Sequence, residues 1–317
     1  MKLSFAMFQI LNSHDHNLAG STACCIDNKV YVIGGYNGRP TIHNHLLQIH
    51  CIDLETKSWI PVYNNTSGIM NRSFHCSCVL NKEIYLFGGT TVSGELSQQS
   101  SNEVIIVRNS NLGLVSTIHS LEESIRRQGQ TACIMGNSKK AVILFGGMST
   151  DKDTSNNKAA LTSFPTNVSS FSNLSGSYML SPVEVAVGGE DETHIGRAFH
   201  TAVVCGTDNE FMIICGGRNG NKILNDLWLL DMSALLSASE VPAVVVVPQG
   251  KTDAKKTDAK KGTVPTVPSA KWKKLKLPDE NLLLPRQLHS SYFLHQKNSS
   301  AHSGRICVFG GVGEYGS

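Results

Sequence analysis

A short apolar run ending in two consecutive glycines occurs five times along this chain, and no other feature restricts its fold as tightly. The copies are Val30-Tyr-Val-Ile-Gly-Gly35, Ile84-Tyr-Leu-Phe-Gly-Gly89, Val142-Ile-Leu-Phe-Gly-Gly147, Met212-Ile-Ile-Cys-Gly-Gly217 and Ile306-Cys-Val-Phe-Gly-Gly311. Their first glycines stand at 34, 88, 146, 216 and 310, at intervals of 54, 58, 70 and 94 residues. Each copy follows another strand-like run, such as Thr22-Ala-Cys-Cys-Ile26 or Thr201-Ala-Val-Val-Cys205, across turn residues such as Asp27-Asn28-Lys29 or Asn81-Lys82. Two β-rich runs flanking a short polar turn read as a hairpin. A third run follows a polar loop, as in Leu46–Asp53, Glu103–Val107 and Asp226–Asp231, and a fourth closes some units with Trp59 or Trp272. Four antiparallel strands repeated at roughly fifty-residue spacing describe the blades of a β-propeller.

The order Arg-x-x-His, strand, turn, strand, Gly-Gly, loop, strand, Trp resembles the kelch repeat, and the resemblance covers nearly the whole chain. Arg72-Ser-Phe-His75 and Arg197-Ala-Phe-His200, each leading to its Gly-Gly, match best. The paired glycines suit the end of the second strand because glycine permits a left-handed backbone and close approach of neighbouring chains. The resemblance implies an all-β, kelch-type β-propeller over residues 1–317, with about five blades of mostly four antiparallel strands. Two units depart from the motif: the first has Leu18-Ala-Gly-Ser21 in place of Arg-x-x-His, and the third has Arg127-Gln-Gly-Gln130. Little sequence follows Gly311, so the last blade is expected to be incomplete or to be completed by a strand from Lys2–Ile10.

Two long intervals point to insertions. Residues 148–177 are rich in Ser, Thr and Asn and poor in apolar side chains, which predicts a polar loop. Residues 237–270 contain Thr252-Asp-Ala-Lys-Lys256 repeated as Thr257-Asp-Ala-Lys-Lys261, a low-complexity lysine-rich linker placed within a blade, ahead of the Trp272 strand.

Charged residues make up 17% of the chain and the net charge is +3, too mild and mixed for nucleic acid or an anionic membrane to be an expected partner. None of the nine cysteines forms a C-x-x-C pair, and most fall inside apolar runs. Buried free thiols suit a reducing compartment, so the expected location is the cytoplasm or the nucleus. No G-x-S-x-G, P-loop, G-x-G-x-x-G or H-E-x-x-H motif occurs, and neither catalysis nor a cofactor or metal is expected.

Function is then expected on one rim, where strand-entry loops and the loops after Gly-Gly emerge from a rigid scaffold. The candidate protein-binding residues are Arg72, Arg127, Arg197 and Arg286, with Tyr36, Asn37, Arg39, Arg218 and Asn219. A ring of guanidinium forks suits an acidic peptide or a chain-terminal carboxylate. The other reading of the same arginines is a framework role, satisfying backbone groups between blades. His75, His200 and His289 lie within first strands and read as satisfied core histidines rather than metal ligands. The resemblance implies an interaction scaffold or adaptor for a protein or peptide, of the kind that serves cullin-type ubiquitin ligases as a substrate receptor. The alternatives are a structural or assembly protein using blade sides and insertions, and an accessory propeller of an enzyme.

Overall fold

A computed structural model describes residues 18–36, 46–62, 64–65, 68–93, 97–110, 113–120, 127–137, 141–151, 161–163, 168–174, 177–183, 185–186, 195–237, 269–277, 284–295 and 304–313. The first blade is a sheet of β1 (Thr22–Ile26), β2 (Lys29–Ile33), β3 (Ile49–Asp53) and β4 (Ser58–Ile60), in that order. After β5 (Asn64–Asn65) and β6 (Arg72–Ser73), the second blade comprises β7 (Cys76–Leu80), β8 (Glu83–Phe87), β11 (Glu103–Ser110) and β12 (Gly113–Ser120). A small hairpin of β9 (Thr90–Ser93) and β10 (Ser97–Ser100) rises between its second and third strands and pairs with β6. The third blade contains β13 (Gln128–Met135), β14 (Ala141–Asp151), β16 (Val168–Leu174) and β17 (Ser177–Pro182), with β15 (Leu161–Ser163) paired to the end of β14.

The fourth blade follows β18 (Val185–Ala186) and consists of β19 (Thr201–Cys205), β20 (Phe211–Cys215), β23 (Leu227–Asp231) and β24 (Ala270–Leu275). Its accessory hairpin is β21 (Arg218–Asn219) with β22 (Lys222–Ile223), and the short helix α1 (Ser233–Ser237) leaves β23. Leu230 pairs with Trp272 across β23 and β24, although residues 238–268 intervene in the chain. The fifth unit shows the hairpin β25 (Ser290–His295) and β26 (Gly304–Phe309) among the described residues. The inner strands β1, β7, β13, β19 and β25 lie side by side in chain order.

The sequence pattern explains this stacking. The second strand of a blade is buried on both faces, so it is apolar throughout instead of alternating: Ile84, Tyr85, Leu86 and Phe87 in β8, and Val142, Ile143, Leu144 and Phe145 in β14, are all buried. Odd and even side chains enter different cores. Ile84 and Leu86 join Ile33 and Cys51 between blades one and two, while Tyr85 and Phe87 join Val142 and Leu144 between blades two and three. A third core sets Phe145 and Ile143 against Ile214, Trp228 and Leu230. At the far end of two blades the hairpin turns Asp27-Asn28 and Asn81-Lys82 have both residues at positive φ, the backbone of a two-residue type I′ turn.

One expectation is corrected. The segment 148–177, read as a polar loop, instead supplies the end of β14, all of β15 and β16 and the start of β17. The decisive residue is Phe171, which is buried with its ring centroid 5.6 Å from that of Tyr85 and 5.0 Å from that of Phe87. One large aromatic seated in a neighbour's core holds a strand whose other residues are mostly Ser and Asn. The segment Lys2–Ile10, expected to lend a strand, and most of the lysine-rich linker lie outside the described residues.

The fifth unit also exposes what its predecessors bury. Register places Phe309 opposite Ser290 as Ile33 stands opposite Thr22, Phe87 opposite Cys76 and Phe145 opposite Thr131. Those three equivalents are at most 1% exposed, whereas Phe309 is 64% exposed. No described blade lies over that face.

Candidate functional site

Three of the four arginines expected to bind a ligand are interior struts. Arg72, Arg127 and Arg197 are 1%, 7% and 0% exposed. Each points Nη1 at the carbonyl of the first glycine of its own blade: Gly88 at 3.2 Å, Gly146 at 3.3 Å and Gly216 at 3.0 Å. Arg286 repeats the bond to Gly310 at 3.0 Å from a partly exposed position. Two struts also hold an acid at the start of the third strand. Arg72 donates to Glu103 at 2.9 Å, and Arg197 grips Asp226 with both Nη atoms at 2.6 and 3.0 Å. Burial alone would raise the Asp226 carboxyl, but Arg197 and the Trp228 indole N–H at 2.7 Å more than offset it and hold it below the ordinary carboxylate value.

The same residues join blade to blade. The second glycine of each pair donates its N–H to the carbonyl of the next blade's arginine: Gly89 to Arg127, Gly147 to Arg197 and Gly217 to Arg286, at 2.8 to 2.9 Å. The left-handed backbone of these glycines aims that N–H sideways. In the first blade Leu18 replaces the arginine and Gln48 replaces the acid, a paired change that could have been read in the sequence as evidence that the two touch.

The histidines lock the junctions from inside. Nε2 of His75, His200 and His289 sits 2.9 Å from the hydroxyl of Thr22, Thr131 and Thr201, respectively, each on the preceding blade. At the remaining junction the same positions hold Cys76 and Gln130, which lie against each other. The third unit's departure from the motif therefore answers a change in its neighbour. Burial pushes His75 down to about 3 and His289 to about 4, and drives His200 well below its ordinary value, with the nearby arginines adding to each shift.

These histidines stay neutral in the native protein while the unfolded chain protonates near pH 6.5, so the unfolded state binds more protons below that pH. Their contribution to stability is intact above neutrality and falls as the pH drops from about 6.5 towards about 4. Urea midpoints at pH 7.5 and 5 should show this loss. A His200→Gln variant, copying the natural Gln130, should reduce the slope.

Sequence reasoning missed the residues between arginine and histidine. Phe74, Phe199 and Leu288 have φ of 57°, 56° and 56°, in register with Gly20 and Gly129 at positive φ. Their amides form a line of hydrogen bonds from blade to blade: Phe74 to Gly20, Gly129 to Phe74, Phe199 to Gly129 and Leu288 to Phe199. The Phe74 ring covers Gly20 and the Phe199 ring covers Gly129, and the two rings meet edge to face at 5.5 Å. From Gly20 to Phe199 small and large residues alternate where the inner strands come together, and Leu288 ends the line.

What remains for a ligand is the rim beyond this frame. Tyr36 is 43% exposed, its backbone bridged to Ala19. Arg218 is partly exposed and folds over its own hairpin, donating to Gly220 from Nε at 3.0 Å and Nη2 at 2.8 Å. Asn219 donates to the Gly196 carbonyl at 2.6 Å. Asn37 and Arg39 lie outside the described residues. The accessory hairpins β9–β10, β14–β15 and β21–β22 all arise just after a Gly-Gly, so the rim carries them beside Tyr36.

Comparison with known proteins agrees with this geometry. Residues 8–162 match the family model for the KLHDC2/KLHL20/DRC7 Kelch-repeats domain. Similarity extends to Kelch-like protein 30 of Homo sapiens, 36% identical over 78 residues. The chain is a kelch-repeat protein. The match to Kelch-like protein 30 covers 25% of this kelch chain and 13% of that relative. Kelch domain-containing protein 3 of Homo sapiens is 30% identical over 70 residues, 22% of this chain and 18% of that protein. The alignments thus span less than a fifth of each relative's length. Among the described residues of this kelch protein, no cluster of three or more His, Cys, Asp or Glu is placed to hold a metal ion.

Proposed function

We propose that this kelch protein is an interaction scaffold that binds a protein or peptide on the rim carrying the Gly-Gly loops. The observation behind this reading is a division of labour: the repeated Arg, His and Gly residues are consumed in holding blades together, while the segments that differ between blades project from the same rim. Tyr36 and Arg218 are the described side chains there with the chemistry of interface anchors. In this reading the chain acts as an adaptor, presenting what it holds to a cullin-type ubiquitin ligase, and its free thiols suit the cytoplasm or nucleus.

A Tyr36→Ala, Arg218→Ala double variant tests the rim. Neither side chain is buried, so stability should stay within about 1 kcal/mol of the parent. Quantitative capture from an extract should lose a defined set of proteins that the parent retains. An unchanged set would remove these two residues from the binding face and shift the search to blade sides.

A further inference from the structure

The outer strand β24 of the fourth blade carries Lys271, Lys273 and Lys274, with Lys276 just beyond it, and all four are exposed. Outer strands of the other blades provide an internal comparison. β4 reads Ser-Trp-Ile, β12 Gly-Leu-Val-Ser-Thr-Ile-His-Ser and β17 Ser-Tyr-Met-Leu-Ser-Pro, with no lysine or arginine in any of them. A lysine on a strand edge discourages unwanted pairing, yet β12 occupies the same place in its blade with Val115 and Ile118 exposed. The position itself therefore does not demand cations, and four within six residues exceed what edge protection needs.

Their arrangement is specific. Trp272 turns inward, its ring centroid 4.9 Å from that of Phe145, and Lys274 lies on the same side with Nζ 5.7 Å from the Trp228 ring centre. Alternation sends Lys271 and Lys273 to the opposite side. Among the described residues none of the four is in an ion pair. β18 pairs in parallel with Ala270 and Lys271 alone, so among the described residues the backbone from Trp272 to Leu275 has no ladder partner on its outer edge.

We propose that this edge is a second docking surface, separate from the rim, which takes an acidic segment of a partner protein in extended conformation. The partner would add a strand to β24 and set its carboxylates against lysines on both faces. An exposed strand edge offers main-chain hydrogen bonds in a row, and alternating side chains add selectivity. Lysine, a point charge without a fork, makes the contact sensitive to salt and undemanding in geometry.

A short fluorescein-labelled peptide of alternating glutamate and valine is the probe, read by anisotropy against the full chain. Binding should weaken as salt rises and should fall about tenfold or more in a Lys271→Glu, Lys273→Glu, Lys276→Glu variant, whose exposed substitutions leave the fold intact. The charge-reversed variant should in turn accept a lysine–valine peptide. Alternate N-methylation of the probe, which blocks strand pairing, should abolish binding. Equal binding by the charge-reversed variant, or by the N-methylated probe, overturns the proposal. Tighter binding of a single-stranded oligonucleotide than of the peptide also overturns it, in favour of general polyanion attraction. The chain's own Glu190-Asp191-Glu192 follows β18 in sequence. Should the parent fail to bind while a Glu190→Gln, Asp191→Asn, Glu192→Gln variant binds, the lysines serve an internal acidic run and the proposal fails. The Tyr36 and Arg218 variant leaves this assay unchanged, so the outcome is independent of the rim.

Discussion

Replacing Arg197 with alanine should destabilise the protein by about 3–5 kcal/mol, the range seen when one partner of a buried ion pair is removed. The guanidinium donates to Ile195, Gly216 and both oxygens of Asp226, and its own carbonyl receives the N–H of Gly147 from the preceding blade. Truncation leaves a carboxylate that is only 24% exposed without its cation, and two carbonyls without their donor. Lysine at the same place should recover little, since one ammonium cannot reproduce the two-pronged grip. Urea unfolding followed by circular dichroism measures the loss, and a double-mutant cycle with Asp226→Asn should return most of it as coupling. A loss below about 1 kcal/mol would mean the strut carries little, and the arginines would regain standing as ligand-binding groups.

Gly146→Ala should cost about 3 kcal/mol or more, by a different route. Its φ of +70° already disfavours a side chain, and an added Cβ would sit 2.5 Å from the Arg197 carbonyl oxygen and 2.6 Å from Cε1 of His200. Neither neighbour can retreat without opening the junction, because that carbonyl accepts from Gly147 and that histidine is bonded to Thr131. Gly220 supplies the control: at φ +57° with nothing within 4 Å of the added carbon, its alanine variant should lose only about 1 kcal/mol. Equal losses at the two positions would show that backbone conformation matters and crowding does not.

Much of the frame was legible because its signals are local. An apolar run, a Gly-Gly and a turn dipeptide such as Asn81-Lys82 each announce a strand boundary within a few residues, and the structure places β7 and β8 around that dipeptide. β16 was illegible for the opposite reason: its place depends on Phe171 meeting Tyr85 and Phe87, which are far away in the chain. The arginines were recognised as repeated elements, but repetition does not say whether a cation faces water or glycine carbonyls. A partial sign of it lay in a long-range correlation, the acid present with Arg72 and Arg197 and absent with Leu18, although the blade of Arg127 has Asn167 at the corresponding place in the sequence. On the rim, Tyr36 and Arg218 were visible as loop residues after glycine, whereas the loops to which we assign partner binding share no pattern from one blade to the next.

The exchange of Thr and His for Cys76 and Gln130 bears on how such a chain can change over time. At this junction the substitution on one face is answered on the adjoining blade, more than fifty residues away in the chain. Copies of the repeat are therefore not free to diverge one by one. The heritable unit is the seam between two blades, and a duplicated or transplanted blade would arrive with half of each seam mismatched unless its neighbours had been shaped to receive it.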